Sequence, residues 1–131
     1  MGEDDRGGIY IGYFGKGLYR YEPETDRLTE ITARHDSGSQ TNDPADWINN
    51  LLVAPDGRVW LAHYDGISCY DPRRGRFETF EGRTTLVDHC LGYALAADRR
   101  GRIWCGTSAG LYIYNPADGS LMHRTTAYPN M

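Results

Sequence analysis

Three observations predict an all-β chain of antiparallel four-stranded blades, about three of them, in an incomplete β-propeller. They are three near-copies of one segment, regularly spaced Gly/Pro turns, and apolar runs without clean alternation. The third copy spans 101–119 and carries Ile103-Trp104-Cys105-Gly106, Gly110-Leu111, Tyr114 and the turn Asn115-Pro116-Ala117-Asp118-Gly119. The second spans 57–75, with Val59-Trp60-Leu61, Gly66-Ile67, Tyr70 and Asp71-Pro72-Arg73-Arg74-Gly75. The first spans 7–26, with Tyr10, Gly17-Leu18, Tyr21 and Glu22-Pro23-Glu24-Thr25-Asp26. Trp60 and Trp104 are 44 residues apart, as are Tyr70 and Tyr114, whereas Tyr21 and Tyr70 are 49 apart. Such periods mark blades or solenoid units. Runs apolar on both faces imply sheets covered on both sides. A four-stranded antiparallel sheet stacked between copies of itself is a propeller blade, and the turns inside each unit favour meanders over single-strand coils.

The elements follow in order. Residues 1–6 are polar and acidic, and Asp4 with Gly7 matches Asp98 with Gly101, so the chain starts just before the second strand of its first unit. That unit, 5–32, is expected to lack its first strand. Strands are expected at 9–13, 18–21 and 28–31, with Asp26 standing where the other copies have Gly75 and Gly119, in a left-handed turn position. Residues 33–46 are a long polar loop with no hydrophobic period, of a length often functional in compact domains. The second blade, 47–80, has strands at 48–54, 58–63, 66–70 and 77–80. A polar connector at 81–89 leads to the third blade, 90–126, with strands at 91–97, 102–107, 110–114 and 121–125. Tyr10, Trp60 and Trp104 hold equivalent places and are expected to pack between blades; Tyr21, Tyr70 and Tyr114 are expected to be structural as well.

Several functions are disfavoured. A net charge of −4 argues against a nucleic-acid partner. The arginine groups at 73–76 and 99–102 read as solvated turns. No window approaches the ~18 apolar residues of a membrane span, and no secretory signal stands at the start. Cys69, Cys90 and Cys105 lack metal-ligand spacing and lie in apolar runs, as buried free thiols do. No serine-nucleophile, phosphate-loop or HExxH motif occurs. Gly12-Tyr-Phe-Gly-Lys-Gly17 joins two strands and no helix follows it. Neither a cofactor nor a metal is expected.

In an antiparallel blade the second-to-third-strand turns and the blade-to-blade connections share one rim. That rim collects Tyr13, Phe14, Lys16, His35, Asp36, Asp46, Trp47, His63, Tyr64, Asp65, Asp88, His89 and Ser108. Aromatics among carboxylates and imidazoles suit a carbohydrate, held by stacking and hydrogen bonds. Loops on a rigid scaffold are where function concentrates. The neighbours His63/Asp65, His35/Asp36 and Asp88/His89 could form acid–base or metal pairs, but none has a third ligand at a telling spacing.

The pattern Asp98-x-x-Gly101-x-Ile103-Trp104-x-Gly106-Thr107-x-x-Gly110-Leu111-x-x-Tyr114-Asn115-Pro116-x-x-Gly119 resembles the two-component regulator propeller repeat. The second copy matches at Gly57, Trp60, Gly66, Tyr70, Asp71, Pro72, Gly75 and Phe77. The first matches at Gly7, Ile9, Ile11, Gly12, Gly17, Leu18, Tyr21 and Pro23. The resemblance implies a piece of a periplasmic, non-catalytic sensor propeller. It would recognise an oligosaccharide or a neighbouring domain, with any kinase or cyclase activity outside this chain. A streptogramin-lyase-type propeller enzyme, or a scaffold without a ligand, is the alternative. Three blades fall short of the roughly four to eight that close a propeller. The terminal blades are therefore expected to present apolar faces to the remaining blades of the parent propeller or to a second copy.

Overall fold

Short apolar segments bounded by left-handed glycines fold back on themselves as β-meanders. The computed structural model describes residues 2–13, 17–31, 47–83 and 85–124. Thirteen strands form three antiparallel sheets among them. Blade 1 contains β1 (Gly2–Glu3), β2 (Ile9–Tyr13), β3 (Gly17–Glu22) and β4 (Arg27–Ile31). Blade 2 contains β5 (Ile48–Val53), β6 (Val59–His63), β7 (Gly66–Asp71), β8 (Arg76–Phe77) and β9 (Val87–Asp88). Blade 3 contains β10 (Gly92–Ala97), β11 (Ile103–Thr107), β12 (Gly110–Asn115) and β13 (Ser120–Arg124).

The packing follows from the doubly apolar runs. Every residue of β6 is buried. Val59 and Leu61 face blade 1 with Tyr10, Leu18, Leu51 and Phe77. Trp60 and Ala62 face blade 3, joining Ile67, Cys69, Ile103 and Cys105. Fully burying one such aliphatic side chain is worth about 1.5–3 kcal/mol, so the middle blade anchors the stack. The Trp60 ring lies 5.4 Å from Tyr114 and 6.1 Å from Phe80, and Phe80 meets Tyr114 edge-on at 5.7 Å.

The blades approach most closely at their first strands: β10 lies against β5 and β6, and β5 against β1 and β2. Gly92 makes this possible, since a Cβ there would stand 2.5 Å from the Gly66 carbonyl oxygen and 2.9 Å from Ala62 Cα. The outer strands diverge, and every residue of β13 is exposed. Sheets close at one edge and splayed at the other are propeller geometry. The ladders of β5 with β6 and of β10 with β11 shift register at equivalent places, between Ile48 and Asn50 and between Gly92 and Ala94. Such bulges re-aim the extra side chain. Asn49 uses its bulge to donate from Nδ2 to the Gly92 carbonyl of the next blade at 2.9 Å.

Two expectations are corrected. The first unit does not lack its first strand: Gly2 and Glu3 pair with Tyr10 and Ile9. A two-residue strand leaves no periodicity to read; it is placed by contact, with Gly2 set against Val53 and Leu51. Nor does the second unit end at Phe80, with a plain connector at 81–89. Its outer strand is split, β8 placing Phe77 opposite Tyr70 and β9 placing Val87 opposite Ile67. Ten residue steps on one side face three on the other, an insertion of 10 − 3 = 7 residues. The insertion folds through a Phe80–Arg83 bridge and delivers Phe80 to the aromatic cluster between blades 2 and 3.

Candidate functional site

Two rims flank the blades. At the predicted rim, Tyr64 and Asp65 turn β6 into β7. Trp47, just before β5, packs against Tyr64 with ring centroids 5.8 Å apart and planes inclined by 33°. Tyr64 is 43% exposed and Trp47 half-buried, so the pair presents an accessible aromatic surface. Strand β9 brings Asp88 opposite Gly66 on the same rim. There Arg83 donates to Asp88 Oδ2 at 3.1 Å, with His89 Nε2 3.7 Å from the same oxygen. The His89 ring is exposed, on a backbone at φ +58°.

His63 is placed differently. It ends β6 fully buried, with Nε2 2.7 Å from Ser68 Oγ and Nδ1 accepting the Asp65 N–H at 3.1 Å. Accepting at Nδ1 puts the proton of a neutral ring on Nε2. In blade 3 the equivalent Thr107 does the same work, its Oγ1 accepting the Ala109 N–H at 3.1 Å. The difference between these copies is therefore two chemistries for one turn, with the imidazole buried in this structure. Ser108 is a latch: its Oγ accepts the Leu91 N–H at 2.8 Å and its own N–H donates to the Leu91 carbonyl at 2.9 Å. Tyr13 ends β2, its backbone opposite Gly17. Phe14, Lys16, His35, Asp36 and Asp46 lie outside the described residues, as does the whole of the long loop at 33–46. No group of three or more metal-capable side chains gathers among the described residues.

The buried thiols sit where blades 2 and 3 meet. Burial pushes Cys105 up to about 12 and Cys69 higher still. Burial also raises Cys90, against a side-chain hydrogen bond with Thr107. None of the three is poised as a nucleophile.

The opposite rim was not singled out from the sequence, yet it holds a sizeable concavity. A groove of about 810 Å³ runs between blades 1 and 2, lined by Tyr10, Tyr70, Arg20, Asp4, Glu22 and Arg73 among others. Its wall is a turn cap. Asp4 Oδ1 accepts the N–H groups of Arg6 and Gly8, and Arg20 donates to Asp4 Oδ2 at 2.9 Å and to Glu22 at 2.9 Å. Burial opposes ionisation of Asp4, but Arg20 and the two N–H groups hold it below the usual carboxylate range.

Blade 3 builds the same cap with other residues. Asp98 accepts from the Arg100 and Arg102 N–H groups, from Arg102 Nε at 2.7 Å and from Trp104 Nε1 at 2.9 Å. The Trp104 indole and Arg102, against desolvation, hold its carboxyl far below the usual range. Blade 1 has Gly8 at the place of Arg102, and the Arg20 guanidinium fills the space that a Gly8 side chain would need. Blade 2 breaks the pattern: Ala54 stands at the Asp position, its backbone in the same turn. Trp60 Nε1 is consequently buried without a hydrogen-bond partner among the described residues. Glu78 Oε2 is likewise buried without a hydrogen bond among the described residues, though it forms an ion pair with Arg58 Nε at 3.6 Å.

Three antiparallel sheets, two of four strands and one of five, close at their first strands and splayed at their last, define a partial β-propeller with a loop rim and a turn rim. Among solved structures it resembles extracellular domains of two-component systems. The chain is similar to the extracellular domain of the putative hybrid two component system BT4673 from B. thetaiotaomicron, with TM-score 0.76 and 26% identity over 98% of this chain. The extracellular domain of BT3049, from the same organism, superimposes with TM-score 0.73 at 23% identity over 95%. This chain spans only 16% of either. PorZ, an essential surface component of the type-IX secretion system of Porphyromonas gingivalis, shares the fold at TM-score 0.51 and 13% identity, covering 98% of this chain and 27% of that one. No family model and no curated protein matches the chain.

Proposed function

We propose that this chain is a recognition segment of an extracytoplasmic sensor propeller, and that its loop rim binds an oligosaccharide without catalysis. The Trp47–Tyr64 pair carries the reading. An accessible aromatic surface beside Asp65, Asp88, Arg83 and His89 offers a sugar both a stacking platform and hydrogen-bonding groups. The likeness to extracellular domains of hybrid two-component systems supports the sensor context. Non-catalysis is supported by the state of the reactive side chains: His63 is buried and committed to its turn, and burial raises all three thiols. Signal output belongs to a parent protein several times longer.

The test is a binding screen of neutral and acidic oligosaccharides by thermal shift and calorimetry. At least one should bind saturably, and Trp47→Ala with Tyr64→Ala should weaken it by tenfold or more while the turn-rim variant Tyr70→Phe leaves it unchanged. No saturable binding to a folded chain across the panel overturns the glycan reading, as does affinity indifferent to Trp47 and Tyr64.

A further inference from the structure

The contacts on the two sides of blade 2 differ by one aromatic ring. Between blades 2 and 3, the Phe80 ring lies 6.1 Å from Trp60 and 5.7 Å from Tyr114. Between blades 1 and 2, cross-strand register puts Tyr10 in the place of Trp60, Tyr70 in that of Tyr114 and Thr29 in that of Glu78. Strand β4 runs without insertion from Leu28, opposite Tyr21, to Ile31, opposite Leu18, so it delivers no counterpart of Phe80. Tyr10, Tyr70, Thr29 and Ile31 instead line the groove of about 810 Å³. The groove therefore opens where the neighbouring contact holds a ring. A concavity of several hundred Å³ with apolar walls and a few polar groups is the usual form of a ligand site. Its charge is one-sided, with five carboxylates and three guanidiniums in the lining. Arg20 is engaged by Asp4 and by Glu22, at 2.9 Å each, and the carboxylates of Glu3, Asp5 and Asp56 belong to exposed residues.

We infer that this groove is a second binding site, on the turn rim, for a ligand that carries an aromatic ring beside a cationic group. The ring stands to Tyr10 and Tyr70 as Phe80 stands to Trp60 and Tyr114, within the separations of about 4.5–7 Å that aromatic pairs favour. The cation meets the excess of carboxylates at the lip of the groove. An aromatic amine and a peptide with an aromatic residue next to Lys or Arg offer the same chemistry. Both walls belong to the contact between blades 1 and 2, so the site does not depend on what covers the outer faces of blades 1 and 3. It lies on the rim opposite Trp47 and Tyr64, and the inference is independent of the glycan reading.

Titration of the 131-residue chain with phenethylamine, followed by NMR of isotope-labelled tyrosine rings, should shift Tyr10 and Tyr70 saturably. Cyclohexylethylamine keeps the charge without the aromatic ring, and hydrocinnamate keeps the ring with the opposite charge. Each should bind about tenfold more weakly. Thr29→Trp, at an exposed position on the groove wall, fills the groove with its own ring. It should abolish the shifts while leaving the β-sheet circular dichroism spectrum unchanged. N-acetyl-Phe-Arg-amide separates the two sources: binding tighter than that of the amine assigns a polypeptide ligand, and binding at or below it assigns a small molecule. No saturable shift of either tyrosine, equal affinity for the cyclohexyl amine or for hydrocinnamate, or a titration indifferent to Thr29→Trp in a folded chain overturns the site.

Discussion

Gly66 lets the split outer strand of blade 2 approach β7. It opens β7 at φ +131°, a region glycine enters freely and other residues do not. A Cβ there would run into the Val87 carbonyl oxygen and stand 3.1 Å from Asp88 Cα. Gly57 provides the control, at φ +92° with nothing within 4 Å of the added carbon. Gly57→Ala should therefore cost backbone strain alone, about 1–2 kcal/mol. Gly66→Ala carries the same strain and must also push β9 away. That forfeits the pairings of Gly66 with Asp88 and Ile67 with Val87, and the Leu86 N–H to Ile67 carbonyl bond of 2.8 Å. At about 1 kcal/mol per hydrogen bond, with partial exposure of Leu86 and Val87 added, the total reaches roughly 4–6 kcal/mol. That is a large part of the ~5–15 kcal/mol available to a domain. Urea unfolding followed by tryptophan fluorescence measures both variants. Gly66→Ala should also displace Asp88 from the loop rim and with it any ligand contact there. If the two variants fall within about 0.5 kcal/mol of each other, β9 is not held by Gly66 and the account of the split strand fails.

Three further outcomes are expected. Ala54→Asp should restore the missing cap of blade 2 and give Trp60 Nε1 an acceptor. In a Glu78→Gln background, which removes the competing carboxylate, it should stabilise by about 1 kcal/mol; a destabilised double variant in urea titration would refute the equivalence of positions 54 and 98. The thiols of Cys69 and Cys105 should resist a thiol reagent at pH 8 in the folded chain and react at once in denaturant, since burial raises both; fast native labelling at either position would place it at the surface. Asp98 is depressed when folded, so its contribution is present above its unfolded value of about 3.8 and is lost as pH falls from there toward the lower folded value. The wild-type melting temperature should accordingly fall more steeply below pH 4 than that of Asp98→Asn, and parallel slopes would show that the cap carries no linked proton.

The repeat, the strands and the burial of Trp60 were legible in the chain because they are local or periodic. A 44-residue period aligns Trp60 with Trp104, and runs such as Val59-Trp60-Leu61 need cover on both faces. Even the left-handed Asp26 could be read, from its place opposite Gly75 and Gly119; it stands at φ +53°. The candidate site was legible in part. Tyr64, Asp65 and Asp88 share a rim because antiparallel order puts them there, and Trp47 joins Tyr64 as a ring pair. His63 could not be judged, because its burial depends on how the blades pack together, and its commitment to Ser68 depends on cross-strand register.

What the sequence determined alone is the unit: strand, turn and apolar face, each encoded within a few residues by Gly, Pro and the spacing of Ile, Trp and Tyr. What only the tertiary structure decided depends on how the units meet. Strand β1 exists because Gly2 lies against blade 2. The outer strand of blade 2 is split so that Phe80 can reach Trp60 and Tyr114. The groove of about 810 Å³ is a gap between sheets, belonging to no single segment. The caps show the same division: Asp98, Asp4 and Ala54 occupy one turn, but Asp98 meets Arg102, Asp4 meets Arg20 of another strand, and in blade 2, where alanine leaves no acceptor, Arg58 turns to Glu78.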